Sequence, residues 1–98
     1  MLTVVKGYDD EILGCCEWRI VDQEGHPAID GKYIWISELE VSRRYRHKNI
    51  IKKIILDIEK KAKETEYVYF QRRKYEKRIR LYKREEFVDF ARRRKCLV

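Results

Sequence analysis

A cluster of basic residues lies between a short apolar strand and an amphipathic helix, and it could bind phosphate groups. The cluster consists of Arg43, Arg44, Arg46, Lys48, Lys52 and Lys53. A helix N-terminus attracts anions because its first backbone N–H groups lack partners within the helix and the helix dipole adds positive potential there. The segment therefore predicts a phosphate-binding turn, and the alternative interpretation is a solvated, basic helix start.

Three strands are predicted ahead of this turn. Residues 2–5 form a β-branched run and residues 12–21 a longer apolar one, so together they predict an antiparallel hairpin. Residues 22–31 hold two glycines and the only proline, which predicts a loop. Residues 32–41 form the third strand, and its alternation breaks at residues 37–38. Such a break indicates a β-bulge, a feature often found beside functional sites.

The helix after the turn has the most regular pattern in the chain. Its apolar residues recur with a period near 3.6, and Asn49 is a candidate N-cap. The apolar stripe consists of Ile50, Ile51, Ile54, Ile55, Ile58 and Ala62. The opposite side is charged, so this helix is expected to pack one face on the sheet.

Three further elements are predicted in the last third of the chain. Residues 66–71 predict a strand, in which the aromatic residues are interpreted as core and strand packing. The spacing of Tyr75, Ile79 and Tyr82 predicts a helix over residues 74–84, and a last strand begins at Phe87. The predicted order is β-β-β-α-β-α-β, within one domain that spans residues 1–98.

Two segments resemble motifs of the GNAT N-acetyltransferase superfamily. The first is Leu39-Glu40-Val41 followed by Tyr45-Arg46-His47-Lys48-Asn49-Ile50-Ile51, and the second is Leu81-Tyr82-Lys83-Arg84-Glu85-Glu86-Phe87. The resemblance covers roughly residues 2–90. It implies an α/β (α+β) fold with a mixed, mostly antiparallel sheet and two packed helices, lacking the family's usual N-terminal strand and helices. Without those helices, the acceptor pocket is expected to be open or completed by another copy, as a homodimer.

The resemblance implies acetyl-CoA as the cofactor. In the family, the turn donates backbone N–H groups to the pyrophosphate, and pantetheine lies between two splayed strands, here expected to be residues 36–41 and 67–71. The cofactor-binding residues implied are Leu39, Val41, Arg46, His47, Lys48, Asn49, Ile50 and Ile51. The family's glycines fall on His47, Asn49 and Ile51, and the Ile51 side chain would narrow the cradle.

The resemblance also assigns two catalytic roles for acetyl transfer to an amine of a protein or small molecule. Glu38 stands eight residues before Arg46, where several family members place the acid that takes the amine proton, and Glu40 is the alternate on the same strand face. Tyr82 matches the tyrosine that protonates the thiolate. The alternatives are solvent-facing strand acids for the glutamates and a packed core aromatic for Tyr82.

Charge is distributed unevenly along the chain. The net charge is +7, and residues 71–98 alone carry twelve Lys or Arg against four Asp or Glu. A basic C-terminal third suggests an anionic partner. The second functional hypothesis is therefore a catalytically inactive GNAT-like module that binds CoA, nucleic acid or a protein partner through this third. Its nucleic-acid binding would be nonspecific and salt-sensitive.

The remaining composition narrows the classes of site and location. Cys15 and Cys16 are adjacent and Cys96 is distant, so no metal-binding spacing is present and no metal site is predicted. The cysteines are interpreted as small buried residues in a reducing, cytoplasmic environment. No signal peptide and no apolar run of about 18 residues is found, so no membrane association is predicted.

Overall fold

The computed structural model describes residues 1–44, 49–71 and 77–94. The chain forms strands β1 (Leu2–Lys6), β2 (Ile12–Val21) and β3 (Tyr33–Val41), then helix α1 (Ile50–Lys61). Strands β4 (Tyr67–Gln71) and β5 (Ile79–Lys83) and helix α2 (Arg84–Arg94) follow, and a short 3-10 turn (Tyr8–Asp10) precedes β2. None of the helices in these ranges is long and apolar enough to span a membrane.

The five strands form one sheet in chain order. All neighbours are antiparallel except β3 and β4, which run parallel because α1 crosses over between them. The predicted hairpin of β1 and β2 is confirmed by their antiparallel pairing. The predicted fold class is confirmed as well, since the chain is a mixed, mostly antiparallel sheet with two helices.

The predicted order of the last two elements is wrong. The structure has β-β-β-α-β-β-α, with a strand where a helix was expected over residues 74–84 and a helix where a strand was expected from Phe87. Five residues are too short a run to separate period 2 from period 3.6, and pairing with the free edge of β4 decides for the strand. Phe87, Phe90 and Ala91 then stand at i, i+3 and i+4, so a helix packs them on the sheet.

Both helices pack against the same face of the sheet. Ile54 and Ile58 of α1 and Phe87 and Ala91 of α2 are at most 3% exposed. The strands supply the other half of this core with Cys16, Trp18, Ile34, Ile36, Leu39, Val41, Val68 and Phe70. The adjacent residues on each strand point the other way because side chains alternate. We call that second side, which neither helix covers, the open face.

A buried polar chain fixes α1 on the first hairpin. The indole Nε1 of Trp18 donates to Thr3 Oγ1 at 2.8 Å, and Thr3 Oγ1 donates to Asp57 Oδ2 at 2.8 Å. Lys61 Nζ also donates to Asp57 Oδ2, at 3.0 Å. Because Thr3 is only 3% exposed, each of its hydrogen bonds satisfies a polar group that is shielded from water.

Candidate functional site

The pairing of the third strand with the fourth ends halfway along β3. The parallel pairing of β3 with β4 runs from Tyr33–Tyr67 to Ile36–Phe70, and no further pair joins the described residues of the two strands. At the same point β3 carries one extra residue, because Glu17 pairs with Glu38 and Trp18 with Ile36. The bulge predicted at residues 37–38 is therefore confirmed. Past it, β3 continues to Val41, and on its β4 side no described residue pairs with it.

Three carboxylates and a thiol lie together on the open face next to this bulge. Glu17 is opposite Glu38 and Cys15 is opposite Glu40, and residues paired in this way share one face of the sheet. The pKa of Glu40 is raised by a hydrogen bond with Glu38, by burial and by the Glu38 charge. The pKa of Cys15 is raised by burial and by the three carboxylates. The group therefore has a strongly negative local potential.

Helix α1 begins directly after the basic turn, and its start is free of acidic residues. Asn49 has φ 55° and ψ 37°, the left-handed conformation that glycine favours and that asparagine tolerates best among other residues. Asn49 is the N-cap residue of α1, as predicted, but its side chain makes no capping hydrogen bond. A capping side chain needs extended backbone angles, which the left-handed turn at this position does not have.

The first two side chains of α1 are buried in the core. Ile50 is 1% exposed and Ile51 is 8% exposed, and both belong to the core. Ile50 packs so tightly on the sheet that a Cβ on Gly14 would lie 2.6 Å from its Cγ2. The predicted narrowing of the cradle by the Ile51 side chain stays a prediction, because residues 45–48 of the turn lie outside the described residues. The backbone N–H groups of this first turn lack acceptors within the helix, as in any α-helix.

The open face also carries a patch of aromatic rings. Tyr33 stacks on Tyr67 with ring centroids 4.9 Å apart and on Tyr69 at 5.2 Å, and Trp35 lies 5.5 Å from Tyr69. Arg19 places its guanidinium 5.3 Å from the centre of the Trp35 ring. We call Tyr33, Trp35, Tyr67 and Tyr69 the aromatic patch. It continues along β3 from the carboxylates, so ring and acid side chains share one strand face.

A family comparison agrees with this arrangement. The family model described as the acetyltransferase (GNAT) family matches residues 2–87, which is nearly the whole chain. The chain belongs to the GNAT family. No curated protein and no solved structure gives a significant match. Membership supports acetyltransferase chemistry in general terms, and the bulge of β3 and the start of α1 fall within the matched residues.

The residues that the GNAT resemblance assigns to the cofactor fall into three groups. Leu39 and Val41 are 4% and 2% exposed, so only their backbone atoms can take part in a site. Asn49, Ile50 and Ile51 form the helix start described above. The third group, Arg46, His47 and Lys48, lies outside the described residues. Arg43 and Arg44 are exposed and precede residues 45–48. Lys52 and Lys53 are exposed on the first turn of α1.

The two predicted catalytic residues lie on different sides of the sheet. Glu38 is on the open face, whereas Tyr82 pairs with the buried Val68 and so belongs to the face that the helices cover. The Tyr82 ring packs at 5.7 Å from Phe87 and at 5.3 Å from Phe90. The structure therefore does not bring Tyr82 and Glu38 together on one face. The role of each in GNAT chemistry stays a prediction.

The sequence interpretation missed the aromatic patch. Residues 67–70 were assigned together to core and strand packing, yet only Val68 and Phe70 are buried, while Tyr67 and Tyr69 are half-buried on the open face. The signal was available in their odd positions, which alternate with the even, core-facing ones. Trp35 was missed for the same reason, since it stands between the buried Ile34 and Ile36.

The loop between β2 and β3 adds a second polar cluster at the edge of the open face. Ligand-type atoms of Asp22, Glu24 and His26 lie within 4.8 Å of one another. Backbone N–H groups of Glu24 and His26 donate to Asp22 Oδ1 at 2.9 and 3.0 Å. Led by the His26 hydrogen bond, these contacts lower the pKa of Asp22. The cluster thereby stabilises the turn, and exposed acidic groups of this kind are common without a metal ion.

Proposed function

We propose that the protein is an acetyl-CoA-dependent N-acetyltransferase that transfers an acetyl group to an amine. The observation that carries the proposal is that the pairing of β3 with β4 ends at the Ser37 bulge, while β3 continues towards a basic helix start. An extended pantetheine arm can add to a free strand edge by backbone hydrogen bonds. The edge here is long enough for several such bonds, because β3 continues to Val41 after its pairing with β4 ends at Ile36.

The residues at the helix start fit a phosphate-bearing group. Asn49 has left-handed backbone angles at a position where the resemblance places a glycine, and the side chains of Ile50 and Ile51 are buried in the core. Lys52 and Lys53 are exposed on the first turn of α1, and its lack of acidic residues leaves the helix dipole unopposed. We assign phosphate binding to this turn, with Arg46, His47 and Lys48 as the predicted side chains within it.

Acetyl-CoA, when bound, supplies the acetyl thioester. The part we assign to Glu38 is to take a proton from the acceptor ammonium, since only the neutral amine is nucleophilic. Glu40 is hydrogen-bonded to Glu38, and the mutual repulsion of the pair favours proton uptake at this point. The resemblance predicts Tyr82 as the proton donor to the leaving sulfur, and this part of the proposal rests on the resemblance alone, because Tyr82 lies on the face opposite Glu38.

Calorimetric titration of acetyl-CoA tests the cofactor site. We expect the parent protein to bind acetyl-CoA with micromolar affinity. Arg46→Ala should bind it about tenfold more weakly or worse, because a charge-assisted phosphate contact contributes about 1.5–3 kcal/mol. Arg93→Ala is the matched control, since Arg93 is an exposed arginine on α2. Absence of binding by the parent at millimolar acetyl-CoA would refute the proposal.

Acetyl transfer to amines tests the catalytic residues. We expect Glu38→Gln to lower kcat by about 10²–10⁴, the usual contribution of a general base, while acetyl-CoA affinity is retained. Glu64→Gln, an exposed glutamate beyond α1, is the control. Tyr82→Phe keeps the ring contacts with Phe87 and Phe90, so a fall in kcat would reflect the hydroxyl alone. Unchanged kcat in both Glu38→Gln and Tyr82→Phe would exclude them from catalysis.

A second candidate is the inactive module that binds nucleic acid. Exposed Arg78, Arg80 and Lys83 lie on or beside the edge strand β5, and Arg92 and Arg93 lie on α2. Nonspecific binding by such a surface would weaken steeply with salt. Oligonucleotide binding with a steep salt slope, together with no acetyl-CoA binding, would favour this candidate. Homodimerisation through uncovered sheet surface is the third expectation, and light scattering across protein concentrations tests it.

A further inference from the structure

The open face combines two features that usually require a partner. It carries the aromatic patch and, next to it, the carboxylates of Glu38 and Glu40 on β3 and of Glu17 on β2. Leu81 extends the apolar part on β5 and is 54% exposed. Exposed aromatic and aliphatic groups next to one another mark interaction sites more often than scattered apolar residues do. Its carboxylate cluster is negative, opposite in sign to the +7 of the whole chain, whereas Arg19 beside Trp35 and Lys83 opposite Tyr67 add positive charge to the ring part.

We propose that the open face binds an extended, basic polypeptide segment, whose lysine or N-terminal amine is the acetyl acceptor. The proposal rests on the proposed function and adds the class of acceptor to it. Charge complementarity supports it, because a cationic segment would neutralise carboxylates that now repel one another. The aromatic patch would hold the apolar parts of the same segment.

The shape of the surface favours a polypeptide over a small amine. From Tyr33 to Glu40 the face runs along eight residues of β3, or roughly 25 Å at about 3.3 Å per residue. An extended peptide of about eight residues has the same reach. The cleft beside Cys15 and Glu40, at the end of β2 and β3, is open and has a volume of about 190 Å³.

The rings of the patch are held in place before any partner binds. The Tyr69 hydroxyl donates to the backbone oxygen of Gln23 at 2.6 Å. Gly25 packs on the edge of Trp35 so closely that a Cβ there would lie 3.0 Å from the ring. The same loop therefore fixes two of the four rings from above. A preorganised surface loses less conformational entropy on binding, which strengthens affinity for a flexible partner such as a peptide.

The same charges disfavour the other macromolecular occupants. Phosphate groups of a nucleic acid would be repelled by the three carboxylates beside the patch. A second copy that covered the face would bury the carboxylates of both protomers, and burying unpaired charges is costly. A basic segment has neither disadvantage, since its ammonium and guanidinium groups pair with the carboxylates at the solvent-accessible edge.

Fluorescence anisotropy with two end-blocked peptides of about eight residues tests the surface, the length being set by the reach of β3. One peptide alternates lysine and alanine and the other glutamate and alanine, and acetyl-CoA is omitted. We expect the lysine peptide alone to bind, and Trp35→Ala to weaken it about tenfold through lost aromatic contacts. Glu17→Gln should weaken it about threefold and reduce its salt dependence. Leu56→Ala, on the outer side of α1, is the matched control.

Several results would overturn the inference. These are equal binding of the two peptides, an unchanged affinity in Trp35→Ala, or Trp35-dependent binding of a single-stranded oligonucleotide that displaces the peptide. A dimer lost in Trp35→Ala, without peptide binding, would assign the face to a second copy instead. Circular dichroism of each variant confirms that the fold is retained, so a loss of binding reports on the surface.

Acetyl-CoA titration separates this inference from the proposed function. If acetyl-CoA binds and butylamine is acetylated as efficiently as the lysine peptide, the inference fails and the acetyltransferase proposal stands. If acetyl-CoA does not bind, the acetyltransferase proposal fails and the acceptor role of the peptide fails with it. We expect the lysine peptide to be acetylated with a KM at least tenfold below that of butylamine, and Trp35→Ala to raise that KM with little change in kcat.

Discussion

The two faces of the sheet are built from alternate residues of the same strands, yet they have opposite properties. On the helix-covered face, Ile34 and Val68 are at most 2% exposed and pack against aliphatic and aromatic side chains. On the open face, Trp35 and Tyr69 are half-buried and touch one another and a loop. The covered face therefore determines whether the chain folds, and the open face is available for recognition.

The bulge at Ser37 is what allows both faces to keep their character along β3. Before it, even-numbered Ile34 and Ile36 point to the core, and after it odd-numbered Leu39 and Val41 do. One extra residue in the strand thus reverses the parity of the core positions. The same residue leaves Glu38 on the open face, just past the position where the pairing of β3 with β4 ends. A structural irregularity therefore positions the side chain to which we assign the role of general base.

Adjacent residues of β3 give the strongest test of this contrast between the faces. We expect Ile34→Ala to lower the free energy of unfolding by about 2–5 kcal/mol, since it leaves a cavity under α1. Trp35→Ala should cost only about 1–2 kcal/mol, from lost contacts with Tyr69 and Arg19. Urea unfolding at neutral pH measures both values. Equal costs would mean that the open face contributes to the core as much as the covered one.

The polar chain on the covered face gives an intermediate effect. We expect Thr3→Val to cost roughly 1–3 kcal/mol, because the Trp18 indole N–H loses its acceptor in a buried site. Thr3→Ser keeps the hydroxyl and is the control. Lys61 and then Thr3 lower the pKa of Asp57. The stabilisation is complete above the ordinary aspartate pKa of 3.8 and is lost as the pH falls through the lower folded value, so Thr3→Val should flatten acid unfolding.

The carboxylates of the open face should give the smallest effect, and one of opposite sign. The pKa of Glu40 is raised from its ordinary value of 4.5, first by the Glu38 hydrogen bond, so its charged form destabilises the fold. That cost is present above the folded pKa and disappears as the pH falls to 4.5. Glu40→Gln should therefore stabilise the protein by up to about 0.5 kcal/mol at neutral pH and have no effect in mild acid.

Urea unfolding at the two pH values measures this difference, and Glu64→Gln on the solvated side of the chain is the control. A stability loss in Glu40→Gln at neutral pH would show that this carboxylate is favourably paired in the folded protein. The interpretation of the open face as a surface awaiting a cation would then need revision. Adding the lysine peptide or the glutamate peptide to the same unfolding experiment would sharpen the comparison, since only the lysine peptide should stabilise the parent protein.

Long, regular patterns were predictable from the sequence, whereas short ones were not. The stripe of isoleucines in α1 runs from Ile50 to Ile58, about two and a half turns, and this helix and the core it covers follow the prediction. The five residues of β5 fit two periods, and the helix predicted there was wrong. The bulge at Ser37 was predictable because it interrupts an otherwise regular alternation. The left-handed Asn49 was not, since asparagine is equally common as an N-cap.

The sequence by itself determined the strand-turn-helix unit, the bulge beside Glu38 and the resemblance to the GNAT family, because local periodicity and motif spacing are contained in consecutive residues. Only the tertiary structure decided which face each side chain shares with residues distant in sequence. It grouped Glu17 and Cys15 with Glu38 and Glu40, and it separated Tyr82 from them. The reason is that strand register and the side on which the helices pack depend on contacts across the whole sheet, which no short segment specifies.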